Sequence, residues 1–240
     1  IHARLFEFIT GTPWYLGGMS NTKQLHHLGD VLAKVAMALA DFDHPTVHRS
    51  HPWDLTRAAQ HRKKIEYVQC PDRRRMVEWM FHLYAASAES QLADLPHCVI
   101  HGDVNDENIL VKDRRVSGLL DFGDALINPT ISELAIALAY AMLDHSDPLA
   151  AGAEIVSSYH RIRPLIEPEV KVLYPLICGR LGTTVLLAAA RRQIDPEHPT
   201  WFITEERAWK LIERLSMIDP LDAGNRLSSK INVQTFQNTG

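Results

Sequence analysis

The sequence predicts a mainly α-helical fold that carries one small β hairpin. Three observations point to it. Apolar residues recur every three or four positions near the start of the chain and through most of its second half, two short β-prone runs flank a single polar turn, and the 240 residues are 46% hydrophobic and 22% charged, enough for a substantial core.

In chain order, the apolar stretch Leu5, Phe6, Phe8 and Ile9 follows Ile1 directly. It reads as part of a longer polypeptide, starting just before a strand or hinge. Glycines and a proline between Gly11 and Gly18 mark a turn. From an N-cap at Asn21 or Thr22, the series Leu25, Leu28, Leu32, Val35, Leu39 and Phe42 predicts one helix with a single buried face. Asp43 to Trp53, with Pro45 and Pro52, is expected to be a loop, and Arg73 to Leu92 a second helix, closed by Pro96. Cys98 to Ile100 form a short apolar run. Asn108 to Val111 and Val116 to Leu120 predict the hairpin, turning at Lys112 to Arg115. Further helices are predicted over Ser132 to Leu143, Ala150 to Tyr159, Glu169 to about Arg191, and Glu205 to Met217, while Gly224 to Gly240 lacks periodicity and reads as a loosely held tail.

Composition excludes several classes. A net charge of -4 argues against nucleic-acid or anionic-membrane partners, which favour a concentrated basic surface. No uninterrupted apolar run approaches the roughly 20 residues of a membrane span, and the start lacks the plan of a signal peptide, so a cytoplasmic location is expected. Cys70, Cys98 and Cys178, odd in number and far apart, suit reduced buried thiols better than a disulfide framework or zinc site.

The residues that carry chemistry run from His101 to Asn108 (His-Gly-Asp-Val-Asn-Asp-Glu-Asn) and, beyond the hairpin, from Asp121 to Asp124 (Asp-Phe-Gly-Asp). Phosphoryl transfer needs such a set, because charge on the phosphate oxygens must be neutralised by magnesium while a carboxylate orients the attacking hydroxyl and accepts its proton. Asn108 follows Asp103 by five positions in a loop, and Asp121 enters from the far end of the hairpin.

This pattern resembles the protein-kinase set of catalytic-loop Asp, downstream Asn and Asp-Phe-Gly Asp, with Gly102 where protein kinases usually carry Arg. The glycine variant is similar to the aminoglycoside-phosphotransferase superfamily, which includes choline, homoserine and hydroxylysine kinases. Asp41 to Pro45, Trp53 to Leu55 and Glu133 to Tyr140 draw the resemblance closest to hydroxylysine kinases and to kinase modules fused to class-III aminotransferases. The resemblance implies the C-terminal helical lobe of a protein-kinase-like fold, with Asp103 as catalytic base, Asn108 and Asp121 as Mg2+ ligands, and His101 as a loop-ordering residue. It implies ATP or GTP as co-substrate, and a hydroxylated amine or amino acid as acceptor, 5-hydroxylysine being favoured over an aminoglycoside, choline or homoserine. Residues 1–10 would be the hinge strand leaving a small lobe not contained in these 240 residues, with Glu7 and Phe8 at the nucleotide hinge. Residues 11–223 would be the catalytic lobe and 224–240 the tail.

Each assignment has a structural alternative. A lone His-Gly-Asp or Asp-Phe-Gly is commonly turn chemistry, but both in order at this spacing favour the functional reading for Asp103, Asn108 and Asp121. Glu107 and Asp124 are either metal or substrate contacts or solvated loop acids. Glu133 is either a capping or salt-bridged residue or a site group. His44, His48 and His51 lie in a proline-bearing loop with no completing ligand pattern, so a metal site is not expected there. Arg180, Arg191 and Arg192 either meet a substrate carboxylate or phosphate or, as helical arginines usually are, are solvated, and the second reading is favoured. A glycine-rich phosphate loop with its lysine is not legible upstream of His101, which keeps open a rival reading as a non-catalytic nucleotide- or partner-binding kinase-like domain.

Overall fold

The computed structural model describes residues 7–17, 21–198 and 200–233. Leu5 and Phe6 of the expected hinge strand, and 234–240 of the expected tail, lie outside them.

The first helix, α1 (Thr22–Ala38), starts as its sequence dictates: Asn21 Oδ1 accepts from the Gln24 backbone N–H and Gln24 reaches back to the Asn21 N–H, a reciprocal capping box. Its buried face differs from the expected stripe. Leu25, Leu28 and Leu32 are buried with Gly29, Ala33 and Ala36, whereas Phe42 lies beyond the helix and is exposed. The cause is α4 (Pro148–Ile162), which packs so closely that a Cβ on Gly29 would stand 2.4 Å from the Ile155 carbonyl oxygen. Close approach selects small residues over the larger ones the periodicity favoured.

A 3-10 stretch over Leu55–Tyr67 follows the Asp43 to Trp53 loop, in a segment to which periodicity assigned nothing. Then α2 (Pro71–Ser87) ends earlier than expected and passes into a 3-10 turn over Glu89–Asp94. The hairpin forms as expected from β3 (Ile109–Lys112) and β4 (Arg115–Leu119), with Asp113 and Arg114 both at positive φ, as a two-residue turn between twisted strands requires. β1 (Thr12–Pro13) adds to its free edge, Thr12 opposite Val111 and Pro13 opposite Leu110.

Residues 7–10 of the expected hinge strand are not strand. They cross the hairpin instead of extending β1: a Cβ on Gly118 would meet Ile9 Cγ2 at 2.9 Å, and Thr10 O accepts a side-chain bond from Ser117 Oγ (2.9 Å). Phe8 is exposed.

A second sheet goes beyond the single hairpin expected. β2 (His97–Ile100) pairs antiparallel with β5 (Leu126–Pro129), Val99 opposite Ile127. The helical remainder is α3 (Ile131–Ala141), α4, α5 (Glu167–Arg192), α6 (Glu205–Leu215) and α7 (Pro220–Ser228). α5 is the axis of the fold, contacted by α2, α3, α6, α7 and the Leu55–Tyr67 stretch. It is long and apolar enough to cross a bilayer, yet 94% of its apolar window is buried inside the protein.

The tail assignment needs correction, because Gly224 to Ser228 complete α7, where Ala223 and Leu227 are buried and a Cβ on Gly152 would meet Leu227 Cδ2 at 2.7 Å. The cysteines divide. Cys98 and Cys178 are buried, and burial pushes the Cys178 thiol up to about 12, whereas Cys70 is exposed, contrary to the expectation of three buried thiols.

Candidate active site

The loop after β2 is held in place by the hairpin it precedes. His101 is fully buried, its Nε2 donates to Leu120 O (2.7 Å), and its Nδ1 accepts the Asp103 backbone N–H (3.3 Å). A carbonyl can only accept, so the ring hydrogen sits on Nε2. One imidazole thereby joins the start of the catalytic loop to the residue before Asp121, and its ring lies 4.4 Å from that of Phe122. Gly102 adopts φ +80, and a Cβ there would stand 2.9 Å from Asp124 O, so no other residue fits this crossing without strain. Among the described residues Glu133 neither caps a helix nor pairs with a cation: buried on α3, its Oε2 accepts the Gly102 N–H (3.1 Å), and burial raises its pKa.

Asp103 is half-buried and its carboxylate is held from three sides. Arg180 Nη2 donates to Oδ1 (2.5 Å), while Asn105 Nδ2 (3.0 Å) and Asn108 Nδ2 (3.2 Å) donate to Oδ2. A carboxylate offers about four lone-pair sites, so these donors leave one open, on Oδ1. Asn108 Nδ2 also donates to Asp103 O (2.9 Å), and no hydrogen bond among the described residues uses its Oδ1. Asp121 takes the left-handed conformation at φ 60; one carboxylate oxygen accepts the Gly123 N–H (3.1 Å) and the other has no hydrogen-bonding partner among the described residues. The Leu120 N–H donates to Asn108 O (2.9 Å), which sets Asp121 one residue from the Asn108 pairing. Both side chains thus keep a hard oxygen for a cation, and magnesium, which retains several waters and shares phosphate oxygens, needs no larger protein cage.

The flanking acids separate. Asp106 is buried and ion-paired to Arg207 of α6 (2.5 Å), and burial raises its pKa, so its carboxylate is engaged inside the protein. Asp124 pairs with His51 (3.2 Å), and Arg49 donates to Gly123 O, so the Asp43 to Trp53 loop braces the Asp-Phe-Gly turn. Glu107 is exposed at the rim of a polar cavity of about 200 Å³ whose lining includes Asp103, Trp53, Tyr140 and Arg191. His44, His48 and His51 diverge, to Thr46, Asp43 and Asp124 respectively. Glu7 and Phe8, expected at a nucleotide hinge, are exposed and make no strand.

Arg180 carries more weight than its sequence reading assigned. It is 1% exposed, its Nε donates to Tyr140 Oη (3.1 Å), and its guanidinium lies 4.5 Å from the centre of the Trp53 ring. The signal was a single charge in the middle of an apolar helix, which must be paired once buried. Asn105, two residues after Asp103, gave no signal apart from its type.

Residues 1–165 match the model of the APH phosphotransferase enzyme family. The chain belongs to that family. It is 28% identical over 246 aligned positions to hydroxylysine kinase of Mus musculus, covering 97% of this chain and 64% of the mouse protein, so it spans less than two thirds of that relative's length. In fold it is similar to the aminoglycoside phosphotransferase of Alicyclobacillus acidocaldarius, with a TM-score of 0.61 at 13% identity over 93% of this chain and 71% of that one. It is likewise similar to a microcompartment-associated aminopropanol kinase, with a TM-score of 0.59 at 15% identity over 87% and 65%.

Proposed function

We propose that the polypeptide carrying this chain is a cytosolic small-molecule kinase that moves the γ-phosphoryl group of ATP or GTP to a hydroxyl of an amino-bearing acceptor, 5-hydroxylysine being favoured. The chain acts as its helical lobe, which bears the base and the metal ligands. The observation that carries this reading is Asp103: a carboxylate fixed by Arg180, Asn105 and Asn108, with one lone pair left, on the wall of a polar cavity.

In this reading Asp103 Oδ1 accepts the proton of the acceptor hydroxyl as its oxygen bonds to the γ-phosphorus, and the bond from that phosphorus to the bridging oxygen breaks, leaving a nucleoside diphosphate. Asn108 Oδ1 and the open oxygen of Asp121 would hold Mg2+. When bound, the metal neutralises the charge on the phosphate oxygens. Glu107, whose side chain has no partner among the described residues, supplies a carboxylate at the rim for the acceptor's ammonium group.

The test is a coupled assay of that polypeptide with magnesium and ATP or GTP against 5-hydroxylysine, kanamycin, choline and homoserine. The highest kcat/KM is expected for 5-hydroxylysine. A higher value for any other acceptor removes the hydroxylysine assignment, and no turnover on the whole panel favours a non-catalytic nucleotide-binding domain.

A further inference from the structure

We infer that Arg191 binds the carboxylate of the acceptor, so that the cavity selects an amino acid over an amino alcohol lacking that group. The inference rests on the reading of the cavity as the acceptor site and adds the group that recognises the acceptor's far end.

Arg191 lies in the last turn of α5 and lines the same cavity as Asp103. Its guanidinium carbon stands 5.6 Å from the centre of the Trp53 ring and 5.5 Å from that of Trp201. Cation–π attraction to two indoles places the cation and consumes none of its N–H groups. Among the described residues no carboxylate pairs with Arg191 and no acceptor takes its hydrogens, although its neighbours on the helix are engaged: Arg192 with Glu205, and Arg180 with Asp103. A place at a helix C-terminus and the two aromatic contacts account for where the cation sits. They do not use its five donors, whose fork matches a carboxylate bidentately.

Arg180 and Arg191 share one face of α5, and their guanidinium carbons converge on the same Trp53 ring, 4.5 Å and 5.6 Å from its centre, so Arg191 stands close to the group that orients Asp103. The nearby rim acid Glu107 leaves the site with both signs of charge, as a zwitterionic ligand requires.

Calorimetric titration tests this with two probes, 5-hydroxylysine and its decarboxylated diamino-alcohol analogue, on the wild-type protein, Arg191→Gln and Arg191→Lys. The wild type is expected to prefer the amino acid by about 10- to 100-fold, the range for a hydrogen-bonded charge pair. Arg191→Gln should collapse that ratio to within about 3-fold, and Arg191→Lys should restore only part of it, since an ammonium lacks the planar fork. Because the ratio compares two ligands on one protein, a general loss of folding cannot imitate the result. Equal wild-type affinities, no binding of either probe, or an equal loss of both in Arg191→Gln would overturn the inference. A carboxylate preference in a protein that phosphorylates no acceptor would uphold Arg191 and sink the kinase reading, whereas good phosphorylation of acceptors with no carboxylate preference would do the reverse.

Discussion

Arg180 Nη2 and Asp103 Oδ1 lie 2.5 Å apart, the arginine side chain 1% and the aspartate side chain 19% exposed. The carboxylate proposed above as the catalytic base is therefore also the counter-ion of a cation buried in the central helix. Removing one partner of a buried pair leaves an uncompensated charge in the interior, which costs far more than the pair itself contributes.

Asp103→Asn is accordingly expected to do two things at once. In the polypeptide that carries this chain, kcat should fall by about 10²- to 10⁴-fold, the usual loss of a general base. Stability should also fall, by up to about 3 kcal/mol, because Arg180 loses its anion. Adding Arg180→Met should recover much of the stability and none of the activity, a coupling that denaturant titration of the four proteins in the cycle would measure. Strictly additive losses would mean that the pair carries no such load.

Asp121→Ala should abolish the magnesium dependence of nucleotide binding, and Asn108→Ala should weaken it less, because a carboxylate brings a full charge to the cation and an amide oxygen only a dipole. Asn108→Ala should additionally lower kcat, since its Nδ2 holds Asp103. Nucleotide titrations with and without magnesium decide this, and an unchanged metal dependence in Asp121→Ala would remove it as a ligand.

Acid should destabilise the fold through its histidines. Burial lowers the pKa of His61, of His27 and of His145 below the ordinary 6.5, assisted at His61 by Lys64 and Lys63 and at His27 by Arg115. The unfolded chain then takes up protons first as pH falls through 6.5, so this stabilisation is present above that pH and is lost on the way down to the folded values. Buried Glu133 and Asp106, whose pKa values are raised, act in the opposite sense from the carboxylate range upward. His61→Gln isolates the histidine part, since glutamine can still donate to Pro52 O as His61 Nε2 does at 2.8 Å. Melting curves between about pH 5.5 and 7.5 should show a shallower decline for the variant. Parallel curves would exclude His61 as a contributor.

Leu227→Ala should destabilise by about 2 to 5 kcal/mol, as truncation of a core leucine does. Leu221→Ala on the exposed side of the same helix should stay within about 0.5 kcal/mol. Their exposures of 1% and 74% set the contrast, which urea titration can read directly. Equal small effects would return this segment to the status of a loose tail.

What the sequence by itself determined is what neighbours along the chain encode. The Asn21 cap with its Gln24 partner, the two-residue turn at Asp113 and Arg114, most of the helices and the order of the two acidic motifs all follow from contacts a few residues apart. The tertiary structure alone decided which of several chemically suitable groups meet. β5 contains Asn128 and Pro129, a poor strand by composition, and exists because β2 offers it a partner edge. Asp106 and Glu107 are adjacent and alike in charge, yet α6 brings Arg207 to bury the first and leaves the second at the cavity rim. Arg180 and Arg191 both lie on α5, and only the packing of a loop 77 positions distant gives the first its carboxylate, while the second keeps its donors unused among the described residues. Periodicity and caps register local geometry, whereas a buried charge takes its role from whichever distant group folding sets beside it.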